Sequence, residues 1–223
     1  MHQLLSVIDR FADTYQILRQ GGWVMVPLLL CSIIAVTVAI ELAITLRRRS
    51  IIPRHLRVEV EEFRSADEAD SLLERLQKTP CAFANVIKVA LLNRHLPRHE
   101  NQEQILLAGR QEAHLLERGL AVLEIIAAVA PLLGLLGTVL GMVQVFDVIS
   151  REGPGRTATL SGGIKQALYT TIAGLSIAIP TLIAHSYFSK RVDDLVLEIE
   201  RYATTLLNKL YNRSSKGSGG DAR

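Results

Sequence analysis

Two groups of small and hydroxyl-bearing residues recur at helical spacing in this sequence. Gly134, Gly137, Thr138 and Gly141 fall three and four residues apart and so share one broad helix face. Thr171, Gly174, Ala178, Thr181 and His185 recur at the same intervals as a narrow stripe. Small residues let helix backbones approach closely, and hydroxyls hydrogen-bond across the contact. Two readings follow: tight helix packing, or a polar pathway through an apolar layer. Thr138 lies about 12 Å before Phe146 and Thr171 about 8 Å after Gln166, at 1.5 Å per residue. In antiparallel neighbours the two hydroxyls would share a depth, as a common site requires. Neither group contains a nucleophile with a base, a metal-ligand spacing or a phosphate loop. No enzyme, cofactor or metal is expected.

The elements that must carry these residues are set by where charge is missing. The chain has 223 residues, of which 49% are hydrophobic and 21% charged. That mixture is segregated: windows from Trp23 to Ile40, Ile125 to Phe146 and Gln166 to Ser189 contain no Asp, Glu, Lys or Arg. Each reaches or approaches the length of about 20 residues that spans a bilayer as a helix. An ordinary soluble enzyme is excluded, as is a β-barrel with strands alternating over about 10 residues. All 25 basic residues lie outside the windows, so the positive balance belongs to loops and is no nucleic-acid face. Thirteen of them fall between Arg47 and Arg118, and seven from Lys190 onward. Basic residues beside spans stay cytoplasmic. The expected order is N-terminus outside, a large inner segment, a short outer loop, and the C-terminus inside.

Helical periodicity extends beyond the windows. Leu4, Ile8, Phe11, Tyr15 and Leu18 make an amphipathic stripe that suits either the membrane interface or another protein surface. The Gly21–Gly22 pair breaks it before Trp23. Glu59 to Gln77 reads as a charged helix or helix pair, Ala82 to Asn93 as an apolar helix, and Glu100 onward as one long helix entering the second span. The third span continues through Val192, Leu195, Val196, Ile199, Tyr202 and Leu206. The Ser/Gly-rich end reads as disordered. Cys31 and Cys81 lie in different compartments and make no disulfide. Pro27, Pro131 and Pro180 are expected to kink their helices and free carbonyls.

Inside the windows the titratable side chains are His185, Cys31, Tyr169 and Tyr187. Proton pathways usually need an ionisable relay within the membrane. A hydroxyl binds a carboxylate or water but exchanges no charge near neutral pH. A proton pathway here would therefore borrow its carboxylate from a partner. His185 has a suitable intrinsic pKa, but lies near the cytoplasmic end of its helix, where a solvated or packing role competes. Glu41 and Glu124 sit at span boundaries, where a carboxylate reaches water, and are secondary candidates for conduction.

The run Ala130-Pro131-Leu132-Leu133-Gly134-Leu135-Leu136-Gly137-Thr138-Val139-Leu140-Gly141-Met142 resembles the second-span signature of the MotA/TolQ/ExbB proton-channel family. Ala167-Leu168-Tyr169-Thr170-Thr171-Ile172-Ala173-Gly174-Leu175 with Ala178-Ile179-Pro180 resembles its third-span signature. Gly21-Gly22-Trp23 through Leu46-Arg47-Arg48, and Leu116-Glu117-Arg118-Gly119-Leu120, resemble the ExbB branch. The resemblance implies an all-α membrane protein with three transmembrane helices, two extended into a cytoplasmic helical region. It implies a bacterial inner-membrane homo-oligomer, typically a pentamer, with an ExbD-like single-span partner in its pore. That motor energises TonB-dependent outer-membrane transport through a TonB-like protein. Thr138 and Thr171 match threonines that face the partner's membrane aspartate, and Gly134, Gly141, Gly174 and Thr181 accompany them as pore-lining candidates. One departure is Gln166, where ExbB and TolQ proteins commonly carry a glutamate that can exchange a proton. A TolQ-like role in envelope integrity and division, or a non-conducting helical scaffold, are the alternatives.

These readings divide the chain into an N-terminal amphipathic helix at 1–20, a first span at 21–46 and a cytoplasmic helical domain at 47–121. The second span follows at 122–148, a periplasmic loop at 149–165, the third span at 166–189, a cytoplasmic helical extension at 190–212 and the tail at 213–223.

Overall fold

A computed structural model describes residues 22–64, 68–152 and 157–211. The N-terminal amphipathic helix and the Ser/Gly-rich tail lie outside the described residues. Within them the protein is all-α. Helix α1 spans Met25–Thr45, α2 Arg48–Ile51, α3 Arg54–Glu62, α4 Ala69–Lys78 and α5 Ala82–Leu92. Helix α6 spans Arg98–Leu116, α7 Arg118–Glu152 and α8 Thr157–Tyr211. Three of these, α1, α7 and α8, are long and apolar enough to cross a membrane. Helix α8 has 55 residues. At 1.5 Å per residue it runs about 80 Å, well beyond a hydrocarbon core of about 30 Å.

Local chemistry explains most of the boundaries. Gly22 adopts φ +70°, which glycine tolerates without strain, and its carbonyl accepts from the Met25 amide as α1 begins. Pro27 then falls in the first turn of α1, where its missing N–H removes no intrahelical bond. The expected kink there has no cause. Pro131 and Pro180 do lie in helix interiors, and α7 and α8 continue through them. Each proline leaves the carbonyl four residues earlier, at Ala127 and Ser176, without its amide donor. Pro97 precedes α6 with extended backbone.

Two expectations are corrected. The long helix from residue 100 is interrupted at Glu117, where Leu120 N–H bonds the Glu117 carbonyl in a tighter turn. Gly119, a poor helix former, sits in that turn. A Cβ there would approach the Leu42 side chain at 3.0 Å. The loop placed at 149–165 is mostly helical, since α7 runs to Glu152 and α8 starts at Thr157. The polar residues there removed the apolar signal while leaving the backbone free to continue as helix.

The chain forms two compact units. The first comprises residues up to Ile40 with Ala121–Ser186. Its core is small: Val24, Met25, Leu28, Ala130 and Ala178, with Leu133, Leu140, Ala173 and Ile177 packed against it. Most large apolar side chains of this unit face outward instead, including Leu132, Leu135 and Val139 on α7 and Leu168, Ile172 and Ile179 on α8. An outward-facing apolar surface on helices of this length suits lipid or other subunits.

The second unit comprises Glu41–Leu120 and the residues from Tyr187 onward. Helix α5 is its centre, packing on α4 and α6. Phe83, Val86, Ile87 and Leu91 of α5 are fully buried, as are Val192, Leu195, Ile199 and Leu206 of α8. The Phe83 and Tyr202 rings meet edge to face at 5.6 Å. Polar bonds pin this core. Tyr202 donates to Glu61 at 3.0 Å, and Lys209 Nζ donates to the Glu61 carbonyl at the end of α3 at 2.5 Å. Burial and the Glu61 carboxylate both push the Tyr202 phenol above its usual range. Burial likewise pushes the Cys81 thiol up, although it accepts the Ala84 amide as the cap of α5.

Candidate functional site

The site lies where α7 and α8 run against each other within the first unit. Their backbones touch because glycines occupy the contact. A Cβ on Gly174 would fall 2.6 Å from the Ala130 carbonyl oxygen, and one on Gly134 would fall 2.9 Å from the Thr170 carbonyl. A Cβ on Gly141 would fall 2.9 Å from Ala167 Cβ and 3.0 Å from the Gly163 carbonyl. No real side chain fits at those distances. The structure thus places Gly134, Gly141 and Gly174 in the contact between two helices of one chain, and not on an open face. Their chemistry is close approach.

That approach brings one hydroxyl across the helix pair. Thr171 Oγ1 donates to the Gly134 carbonyl at 3.2 Å. Thr138 Oγ1 donates within its own helix to the Leu135 carbonyl at 2.6 Å. The two hydroxyls therefore rest on carbonyls of adjacent residues in α7. Both threonines are half-buried, bordered by exposed Leu135 and Val139 on α7 and by exposed Leu168 and Ile172 on α8. A hydroxyl that donates to a carbonyl keeps its oxygen lone pairs available, so each can accept a hydrogen bond from a water or a protonated carboxyl.

Thr170 was not singled out by sequence reasoning, and its side chain is fully buried. Its side chain lies against Gly137, where a Cβ would collide with it, and it donates to the Ala167 carbonyl at 2.8 Å. The readable signal was that the stripe through Gly174, Ala178 and Thr181 extends back at the same three- and four-residue intervals through Thr170 and Ala167 as well as through Thr171. Thr181 belongs to this buried stripe and donates to the Ile177 carbonyl at 2.7 Å. Its hydroxyl is thereby enclosed in the chain. Pro131 and Pro180 flank the contact from within α7 and α8.

Gln166 lies near the start of the contact. With Gln144, Val145, Val148, Gly162 and Gly163 it lines a cavity of about 320 Å³. Gly22 is tied to it, because a Cβ at Gly22 would overlap the Gln166 side-chain amide. Two neutral amides thus stand at this end of the helix pair, able to donate to and accept from water. His185 is half-buried farther along α8. Glu124 is exposed in the first unit and Glu41 is exposed in the second. Glu124 is not drawn into the threonine–glycine contact. Among the described residues, no group of three or more His, Cys, Asp or Glu could hold a metal ion.

Known proteins resemble this chain over most of its length. The sequence profile of the MotA/TolQ/ExbB proton channel family matches residues 58–201. An ExbB-like biopolymer transport protein of Synechocystis sp. is 33% identical over 187 residues, covering 80% of this chain and 70% of that protein. Biopolymer transport protein exbB1 of Vibrio cholerae is 28% identical over 193 residues, 83% of each chain. An ExbB homolog of Methanothermobacter thermautotrophicus is 29% identical over 208 residues, covering 92% of this chain and 72% of that protein.

Proposed function

This chain belongs to the MotA/TolQ/ExbB proton channel family, and from that premise we propose that it is the ring-forming subunit of an inner-membrane proton-driven motor. A single-span, ExbD-like partner supplies the membrane carboxylate, and a TonB-like protein carries the work to outer-membrane transport. The names of the relatives, biopolymer transport proteins of the ExbB type, support this branch over a TolQ-like one. The N-terminus faces the periplasm and the C-terminal end of α8 the cytoplasm, in keeping with the basic residues at Arg47–Arg49, Lys190 and Arg191.

The observation that carries the proposal is the pairing of two things. The three windows Trp23–Ile40, Ile125–Phe146 and Gln166–Ser189 hold no Asp, Glu, Lys or Arg, yet Thr138 and Thr171 set two hydroxyls on neighbouring carbonyls of α7. Such hydroxyls serve a borrowed carboxyl in both of its states. When it is protonated, a threonine oxygen accepts its O–H while the threonine proton stays on the backbone carbonyl. When it is ionised, the threonine O–H rotates off the carbonyl and donates to the carboxylate. The exchange costs one weak bond for another, so the carboxylate can move along the ring without an unpaired charge in hydrocarbon. One proton crossing 100 mV releases about 2.3 kcal/mol, which is ample against bonds of this size. The glycines keep α7 and α8 rigidly apposed while the partner moves. The homo-oligomer, taken as a pentamer, is supported by the outward apolar faces of α7 and α8.

The test is proton flux into vesicles holding this protein with its single-span partner. Wild type conducts, and the Thr138→Ala/Thr171→Ala double variant loses at least about tenfold of the flux, a barrier change of roughly 1.4 kcal/mol. Undiminished flux in the double variant would remove the site assignment. Absence of flux in wild type would remove the channel reading and leave the scaffold.

A further inference from the structure

The second unit carries a groove lined by none of the residues of the threonine–glycine contact. Leu42 and Leu46 of the α1 end and Phe188 of α8 form its apolar wall, while Arg47, Arg191 and Tyr187 stand around it. Its volume is about 250 Å³. The groove lies where the uncharged stretch of α1 gives way to the basic run Arg47–Arg49, so one end meets hydrocarbon and the other meets headgroups. Tyr187 is 65% exposed, with its ring edge to face against Phe188 at 5.3 Å, as suits an aromatic residue at a membrane interface.

The charges around it are unevenly matched. Arg48 is held in a two-point bond to Glu198, at 2.5 and 3.0 Å, and Arg57 approaches the same carboxylate at 3.9 Å. Among the described residues, no carboxylate comes within 4.0 Å of Arg47 or Arg191. The acidic neighbours in sequence, Glu41, Asp193 and Asp194, are exposed and do not line the groove. Arg191 is half-buried, and a guanidinium in that position is stabilised by an anion that can bridge its fork. A free phosphate would meet the arginines but leave the Leu42–Leu46–Phe188 wall uncovered. A phospholipid satisfies both parts.

We propose that this groove binds one anionic phospholipid of the adjoining leaflet, with its phosphate between Arg47 and Arg191 and its upper acyl chain on Leu42, Leu46 and Phe188. Tyr187 closes the boundary between head and chain. Binding is independent of proton conduction, so the proposal stands or falls apart from the channel reading.

The experiment is native mass spectrometry of the intact oligomer in neutral detergent, titrated with phosphatidylglycerol, phosphatidylcholine or soluble glycerol 1-phosphate. Phosphatidylglycerol is expected to bind roughly tenfold or more tighter than phosphatidylcholine, from two arginines near the surface. Arg47→Gln/Arg191→Gln removes that preference, while Arg49→Gln/Lys190→Gln, equal in charge but outside the groove, keeps it within about twofold. If the first variant does not fold, Arg47→Lys/Arg191→Lys keeps the charge and loses the fork, and an intermediate preference supports the site. Three results overturn the proposal: equal losses in both double variants, no lipid preference on the intact oligomer, or displacement of the lipid by glycerol 1-phosphate at matched concentration.

Discussion

The Thr171 hydroxyl donates to the Gly134 carbonyl across the α7–α8 contact at 3.2 Å. That bond exists only because Gly134 and Gly174 let the two backbones touch, so packing and site share one geometry. Thr171→Val keeps the shape and removes the donor. Its cost in stability is expected near 0.6 kcal/mol, the average for such bonds in membrane helices. On the proposed pathway proton flux should fall far more, by about tenfold or beyond, because the hydroxyl would be lost to the partner's carboxyl. Thr171→Ser should keep most of the flux. Thr170→Val removes a hydroxyl that is enclosed against Gly137 and bonded within its own helix, and should leave flux within about twofold, a barrier change of roughly 0.4 kcal/mol. Parallel thermal melts and vesicle flux on the three variants check these expectations.

Glycine substitutions separate contact from propensity. Alanine is normally better than glycine inside a helix by about 1 kcal/mol. At Gly174 the added methyl would lie 2.6 Å from the Ala130 carbonyl, a backbone atom that cannot swing aside. Gly174→Ala should therefore destabilise by about 1–3 kcal/mol despite its better propensity. Gly162 has nothing within 4 Å of the same methyl position. Gly162→Ala should be neutral or stabilising by up to about 1 kcal/mol. Helix content followed by circular dichroism during heating in detergent reads both, and a milder effect at Gly174 than at Gly162 would contradict the contact.

The spans were legible because hydrocarbon tolerates almost no fixed charge, so three uncharged windows mark α1, α7 and α8 directly. The family was legible for a related reason: the glycines and threonines that allow close approach sit at fixed helical intervals. What periodicity could not supply was the register between two helices. Thr170 and Thr171 are adjacent in sequence, yet one is enclosed against Gly137 and the other reaches Gly134. Only the rotation of α8 decides which is which. Asn101 escaped for a different reason. It reads as one more polar residue on a charged helix, but it is fully buried and its side-chain amide donates to the Ala90 carbonyl at 3.0 Å. Ala90 is in the last turn of α5, where carbonyls lack intrahelical donors. That need belongs to tertiary structure and leaves no trace in spacing.

Tyr202 gives the second unit an alkaline sensitivity. Its phenol is held above the ordinary value of 10.0 by burial and by the Glu61 carboxylate. In the unfolded chain the phenol ionises at the ordinary value, while in the folded chain it still holds its proton. Folding then binds the proton more tightly, so this contribution to stability is intact below about pH 10 and is lost as pH rises through the folded pKa. Tyr202→Phe should flatten that part of the stability curve, with a cost of about 1 kcal/mol below pH 10 from the lost bond to Glu61. Urea unfolding at pH 8 to 11 on both proteins is the check. An identical alkaline slope would assign the sensitivity to other groups.

On the proposed pathway, Gln166 stands at the end of the contact from which a proton would approach the threonines. It shares a cavity with Gln144, and Gly22 leaves room for its amide. An amide there orders water without exchanging a proton, so the wild-type flux should show no titration belonging to this position. Gln166→Glu is nearly isosteric and replaces the amide with a group that can bind and release a proton in the cavity. The variant should gain a titration step in flux against external pH, and a greater preference for protons over potassium, while Gln144→Glu tests whether the neighbouring amide is equivalent. Coexpression with the single-span partner and flux measured from pH 4 to 8 reads both effects. If Gln166→Glu leaves the pH profile and ion preference unchanged, protons do not pass this cavity. The route to Thr138 and Thr171 would then have to come along the outward faces of α7 and α8.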